Sequence, residues 1–338
     1  MYARAPSKAI LSGEHAVVYG KPALALALCR YATAEIEAAP ELGDDAELHL
    51  DTLDTRVRIR LDQLAPLRRQ LQQYHQQFIA GERPIETVLA QPALLFQYAL
   101  SLLPDCSSTL SGRRLTLRSQ IPLGAGMGSS AATVTALLKA VCGYANKPLT
   151  TEELVALVTQ CEQLQHGRSS GLDPAVCGRG GLLRFQQTEI EPLPAILGQG
   201  WYLFDSGKPE CSTGQCGSQV RRHFGQSGIW DEFAAITEQF QQALLAANPE
   251  QIHTSIRQNQ RLLERIGVVP DRVQRLVRDL EQQGASAKVS GAGAVSGSRA
   301  GLLLIYAPEL AQGGLPGGSS SWQALKMDTM GAVYESDR

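Results

Sequence analysis

Residues 121–132 read Ile-Pro-Leu-Gly-Ala-Gly-Met-Gly-Ser-Ser-Ala-Ala. Glycines at 124, 126 and 128 carry no Cβ, so backbone N–H groups there can turn inward and approach an anion closely. Two hydroxyls follow, and then helix formers from Ala131 to Ala140. Upstream, Arg113 to Ile121 alternates around Leu115 and Leu117 as a strand does. The stretch therefore predicts strand, tight loop and helix N-terminus, a place that offers unpaired N–H donors and partial positive charge. That combination suits a phosphate. The loop is neither a Gly-Lys-Ser/Thr P-loop nor a dinucleotide GxGxxG, and alone it reads equally well as a glycine-rich turn with a serine cap.

Two further stretches weigh toward the phosphate. Residues 5–20 read Ala-Pro-Ser-Lys-Ala-Ile-Leu-Ser-Gly-Glu-His-Ala-Val-Val-Tyr-Gly, and residues 288–294 read Lys-Val-Ser-Gly-Ala-Gly-Ala. Together with the central loop, in this order, they resemble the three motifs of the GHMP kinases. The run Gly13 to Gly20 and the later His166-Gly167-Arg168-Ser169-Ser170-Gly171-Leu172-Asp173 look most like the mevalonate kinase branch of that superfamily.

The resemblance implies an α+β, two-domain chain. Residues 1–185 would form an N-terminal domain, a mixed sheet with helices like domain 2 of ribosomal protein S5. Residues 186–338 would form a ferredoxin-like C-terminal domain. It further implies ATP as phosphoryl donor, Mg2+ as its counterion, and a small-molecule alcohol, mevalonate first, as acceptor, giving 5-phosphomevalonate for isoprenoid synthesis. Other kinases of the superfamily, a phosphomevalonate kinase, a mevalonate 3-kinase-like enzyme or a sugar kinase, remain open, as does a catalytically silent nucleotide-binding regulator. A homodimer is implied by analogy alone.

By the same resemblance Gly124, Ala125, Gly126, Met127, Gly128, Ser129 and Ser130 cradle the nucleotide. Ser130 and Glu162 hold Mg2+, for Glu162 stands eleven residues before Asp173, the spacing the family uses. Hard oxygen ligands of this kind suit Mg2+. Asp173 orients the acceptor hydroxyl and takes its proton late, and Lys8 pairs with it. Glu14, His15 and Thr213 fall where the family contacts the acceptor. Glu162 and His166 are four apart in a helical pattern, hence on one face, and His166 is read as helix packing. Two departures stand out. Ser7 replaces the usual glycine of motif one, and Ala294-Val295-Ser296-Gly297 replaces a glycine run in motif three. The third loop is thus expected to pack at the site with fewer donors for phosphate.

Composition narrows the classes. The 338 residues carry 31 Lys and Arg against 33 Asp and Glu, with a pI near 6.3. Such balance gives no electrostatic case for nucleic acid or an anionic membrane. No apolar run nears the ~20 residues of a membrane helix. Arg4, Lys8 and Glu14 interrupt any leader, so a cytoplasmic chain with reduced thiols is expected for its seven cysteines.

Along the chain, strands are expected at Ala9 to Leu11, Ala16 to Val18, Ala23 to Cys29 and Tyr31 to Ala38. A strand pair is expected over His49 to Leu61, with Arg56, Arg58 and Arg60 on a solvated face. Residues 63 to 103 read as helical, with Phe96, Tyr98, Leu100 and Leu103 facing the sheet. Thr150 caps the next helix, and Asp173 is placed at the start of another ahead of Pro174. A strand at Gly200 to Asp205 precedes helices from 216 to 283, broken near Gly228, Asn248 and Gly267. Strands at Ala285 to Val289 and Gly301 to Tyr306 flank the third motif. Gly313 to Ser321 reads as a flexible connection, and Trp322 to Met327 and Ala332 to Glu335 as strands that close the sheet.

Overall fold

The computed structural model describes residues 1–103, 106–194, 197–309 and 322–335. The expected connection at Gly313 to Ser321 lies outside the described residues. Strands β1 (Tyr2–Ser12), β2 (Ala23–Ala38), β3 (Ala46–Leu50), β4 (Thr55–Ile59), β5 (Arg113–Ser119), β6 (Leu182–Gln186) and β7 (Glu189–Leu193) belong to one sheet. Strands β8 (Trp201–Asp205), β9 (Ser286–Val289), β10 (Leu302–Tyr306) and β11 (Trp322–Ala324) form a second, in the order β11-β8-β10-β9 and antiparallel throughout. Strand β12 (Val333–Glu335) returns to the first sheet and pairs with β1. The first sheet runs β12-β1-β2-β5-β3-β4, with β6 and β7 branching from β2, and its β3–β5 pair is parallel.

The two expected strands between 23 and 38 are one strand of sixteen residues. Its first half, Ala23 to Leu28, is buried without alternation, because helices cover both faces. Its second half alternates as a half-covered strand does. By contrast, Ala16 to Val18 is not a strand. Gly13 turns the chain at φ +88°, where a Cβ would stand 2.4 Å from the Pro22 carbonyl oxygen, and Ala16–Tyr19 closes as a 3-10 turn ending at Gly20.

The helices are α1 (Leu64–Ile79), α2 (Pro92–Ser101), α3 (Cys106–Leu110), α4 (Ser129–Tyr144), α5 (Thr151–His166), α6 (Leu172–Arg179), α7 (Thr213–Phe224), α8 (Ile229–Leu245), α9 (Pro249–Arg265) and α10 (Asp271–Gln282). Helix α4 lies on β1 and β2 and is buried along most of its length. Helix α2 packs on α1, α4 and α5 rather than on the sheet, so the Phe96 and Tyr98 face meets helices. Thr150 caps α5 as expected, through a reciprocal capping box with Glu153. Asp173 lies two positions deeper than a cap ahead of Pro174 would be. Gly171, at φ +86°, is the cap of α6, which places Asp173 second in the helix. Among the described residues no helix is long and apolar enough to cross a membrane.

Candidate active site

The glycine loop folds as its residues require. Gly124, Gly126 and Gly128 all have positive φ, between 69° and 79°. Gly128 is the left-handed cap of α4, so Ser129 and Ser130 open that helix. The loop is pinned to β1 by the Lys8 amide donating to the Met127 carbonyl at 3.0 Å. A shift of register between Pro6 and Ser7 bends β1 just before Lys8 and re-aims its side chain.

Lys8 Nζ lies 3.2 Å from Asp173 Oδ1, with the lysine buried and the carboxylate about a quarter exposed. Gly128 abuts this pair: a Cβ there would stand 3.0 Å from Lys8 Cγ and 3.3 Å from Asp173 Oδ2. Residues far apart in sequence thus meet at the mouth of the cradle. Gly128→Ala strains the +69° backbone and pushes on the ion pair at once. It is expected to reduce kcat at least tenfold, with a smaller loss of stability, about 1 kcal/mol; steady-state kinetics and a thermal melt separate the two.

At the second position of α4, the Ser130 hydroxyl donates to Glu162 Oε1 and also lies 2.5 Å from Gln165 Oε1. A hydroxyl has one proton, so two oxygen acceptors over-subscribe it. Three hard oxygens from Ser130, Glu162 and Gln165 converge, and Mg2+ takes such donors. The donor set fits the ion. Glu162 is buried, which pushes its carboxyl pKa up, and the His166 imidazole, 3.5 Å from its other oxygen, opposes that rise. His166 therefore faces the cluster and is more than helix packing.

The expected acceptor contacts divide. Glu14 is buried in an ion pair with Lys288, whose ammonium also donates to the Val289 carbonyl at 2.7 Å. Its second oxygen, Oε2, is buried without a partner among the described residues. Burial pushes the Glu14 carboxyl up and the Lys288 ammonium down, and each charge counters the other's shift. His15 Nε2 donates to the Ala292 carbonyl at 3.0 Å, and burial lowers its pKa, so the ring is neutral near pH 7 with Nδ1 as acceptor. Thr213 is exposed at the first position of α7, whose start lies near the His166 carbonyl.

The third motif is a clamp on the first two. Ser290 Oγ accepts from the Ile10 amide at 2.8 Å, and Ser290 O sits 3.1 Å from where a Gly126 Cβ would be. Lys288, Ser290 and Ala292 thus hold β1 and the turn after it, and Gly291 lies against Gly126. Sequence reasoning missed Lys288 and Gln165. Gln165 stands one helical turn from Glu162 and was reachable by spacing. Lys288 opens the third stretch, but its full burial follows only from β9, which carries it, packing its ammonium against Ile10 of β1 and Glu14 in the turn beyond. Lys288→Met leaves Glu14 buried and unpaired, a cost of about 3–5 kcal/mol. The double variant with Glu14→Gln is expected to regain most of it in a denaturant melt.

A glycine loop on a helix N-terminus, a lysine–carboxylate pair against it and an oxygen cluster in the helix's first turn are the kinds of parts that phosphoryl transfer uses. Residues 93–181 match the model of the GHMP kinases N terminal domain. A mevalonate kinase of Thermococcus sibiricus is 32% identical over 329 residues, covering 91% of this chain and 89% of the relative. The chain belongs to the GHMP kinase family.

Further relatives that span most of the chain include other mevalonate kinases. That of Methanothermobacter thermautotrophicus is 28% identical over 331 residues, with 96% of both chains covered. The mevalonate kinase of Methanococcus jannaschii superposes with a TM-score of 0.72 at 22% identity, over 97% of this chain and 98% of that one. Another mevalonate kinase crystal structure reaches 0.75 at 22% identity, over 97% and 99%. These likenesses carry the α+β fold expected from the sequence.

Proposed function

We propose that this enzyme transfers the γ-phosphoryl group of ATP to the 5-hydroxyl of mevalonate. The observation that carries the reading is the Lys8–Asp173 pair set against Gly128, at the mouth of the glycine loop. Few parts are needed for such a transfer beyond position and charge. The amides of residues 124–130 and the start of α4 would receive the polyphosphate. Ser130, Glu162 and Gln165 would hold Mg2+, which neutralises phosphate charge when bound. Asp173 aligns the acceptor O–H with the phosphorus. As the new O–P bond forms and the bond to ADP breaks, the hydroxyl proton passes to the Asp173 carboxylate. Lys8 stabilises the negative charge that gathers on the acceptor oxygen. His15 and Thr213 are proposed to position the rest of the acceptor, with Glu14 acting through its place in the buried pair.

An assay of ADP release from Mg-ATP tests this, with mevalonate, 5-phosphomevalonate, homoserine and galactose offered separately. Turnover on mevalonate, with the others at least a hundredfold slower in kcat/KM, is the expected result. Preference for another acceptor keeps the mechanism and removes the substrate assignment. ATP binding with no turnover on any of them favours a silent regulator.

A further inference from the structure

Two cysteines meet where α7 begins. Cys211 Sγ and Cys216 Sγ lie 3.0 Å apart, both as free thiols. Their positions explain the contact. Ser212 caps α7 in a reciprocal box with Gln215. Cys211 immediately precedes the cap and Cys216 is the fourth residue of the helix. In a capped helix these two positions turn their side chains onto one another, ordinarily as an apolar staple. Here both are sulfur, so the turn presents a preformed dithiol.

The two thiols have different surroundings. Cys211 is partly exposed, whereas Cys216 is fully buried. Burial pushes the Cys216 thiol up to about 12, so an oxidant arriving from solvent meets Cys211. On its other side Cys216 Sγ donates to the Gly293 carbonyl at 3.5 Å. Gly293 belongs to the third motif, one residue beyond the Ala292 carbonyl that holds His15. Thr213 lies between the two cysteines. The pair thus links the start of α7 to the loop that clamps the acceptor side.

We propose that Cys211 and Cys216 are an oxidation site that closes to an intramolecular disulfide under a hydroperoxide, and that closure removes the Cys216–Gly293 bond and so loosens the third loop on α7. In the first step the Cys211 sulfur takes one peroxide oxygen. The O–O bond breaks, sulfenic acid forms, and water or an alcohol leaves. In the second, the Cys216 sulfur displaces that oxygen as water and the S–S bond forms. Sulfur is oxidised and the peroxide reduced, with two thiol hydrogens lost overall. The disulfide has no S–H to give Gly293, so that bond is lost when the sulfurs close to about 2.05 Å, and the Val295 backbone is left as the remaining contact to Cys216.

The modification is read by mass and does not depend on the substrate. Its kinetic consequence rests on the proposed kinase reading and is measured with whichever acceptor turns over. The full-length protein is treated with hydrogen peroxide and then analysed by intact mass and peptide mapping. The expected result is loss of two hydrogens, a linked Cys211–Cys216 peptide, and reversal by dithiothreitol. Acceptor KM should rise about fivefold, the scale of one lost hydrogen bond, with KM for ATP unchanged. Cys211→Ser should abolish both changes, and Cys216→Ala should stop oxidation at the sulfenic acid on Cys211. Oxidation of the exposed Cys29 with no 211–216 link would overturn the site. A link that leaves acceptor KM unchanged would overturn its coupling to the third loop.

Discussion

Asp173→Asn is expected to lower kcat by about a thousandfold, the scale of a positioned proton acceptor, while KM for Mg-ATP stays within a few-fold of the parent value. The argument is geometric. Asp173 touches Lys8 and Gly128 but is not one of the oxygens gathered at Ser130. An amide at 173 keeps the size of the carboxylate and its place in α6. It cannot take a proton, and it leaves the Lys8 ammonium, buried beside Gly128, without its counter-charge. The ground-state complex should therefore form and the transfer should fail. Lys8→Met tests the other half, and because the two groups act as a unit, the double variant should be little worse than either single one. Near-normal turnover in Asp173→Asn would remove the carboxylate from the mechanism.

Glu162→Gln is expected to separate stability from activity. Burial raises the Glu162 pKa in the folded chain. Between its ordinary value near 4.5 and that raised value, the folded state holds the proton that the unfolded state has lost. Stability from this group is therefore fully present at acid pH and falls as pH rises through the window. Gln at 162 carries no charge and escapes that loss. Without divalent ions at neutral pH the variant should melt higher than the parent. Yet it should need at least about 10–100-fold more Mg2+ for half-maximal turnover, and it should gain less in melting temperature from Mg-ATP. A lower melting temperature together with an unchanged Mg2+ requirement would show that Glu162 is structural only.

Much of this was legible because the chemistry is concentrated in short loops. Positive φ at 124, 126 and 128 demands glycine, and the helix that follows is written in small apolar residues, so the cradle could be read directly. The spacing of Glu162 and Asp173 singled out two residues that the fold places against Ser130 and Lys8. Local reading failed where long-range packing decides. Nothing around Ala16 to Val18 reveals that Gly13 must pass close to Pro22, so an apolar run looked like a strand. The apolar face of α2 was readable, but its partners, α1, α4 and α5, were not. Motif three was legible in part. Its lost glycines suggested fewer phosphate donors. The fold shows the expected packing, through Lys288, Ser290 and Ala292, while Ala294 is buried with its amide donating to the Val268 carbonyl and Val295 packs against the core. Trp322–Ala324 and Val333–Glu335 are both strands, as expected, but close two different sheets. Which sheet takes a three-residue strand is decided by the partners already in place.

The central claim is the transfer of phosphate to one particular oxygen, and proton-coupled phosphorus NMR of the product tests it most directly. The 5-oxygen of mevalonate is borne by a methylene, whereas the 3-oxygen is borne by a carbon without hydrogen. A phosphomonoester signal split to a triplet by two equivalent protons is the predicted result. An unsplit phosphomonoester signal would place the phosphate on the 3-oxygen and contradict the account.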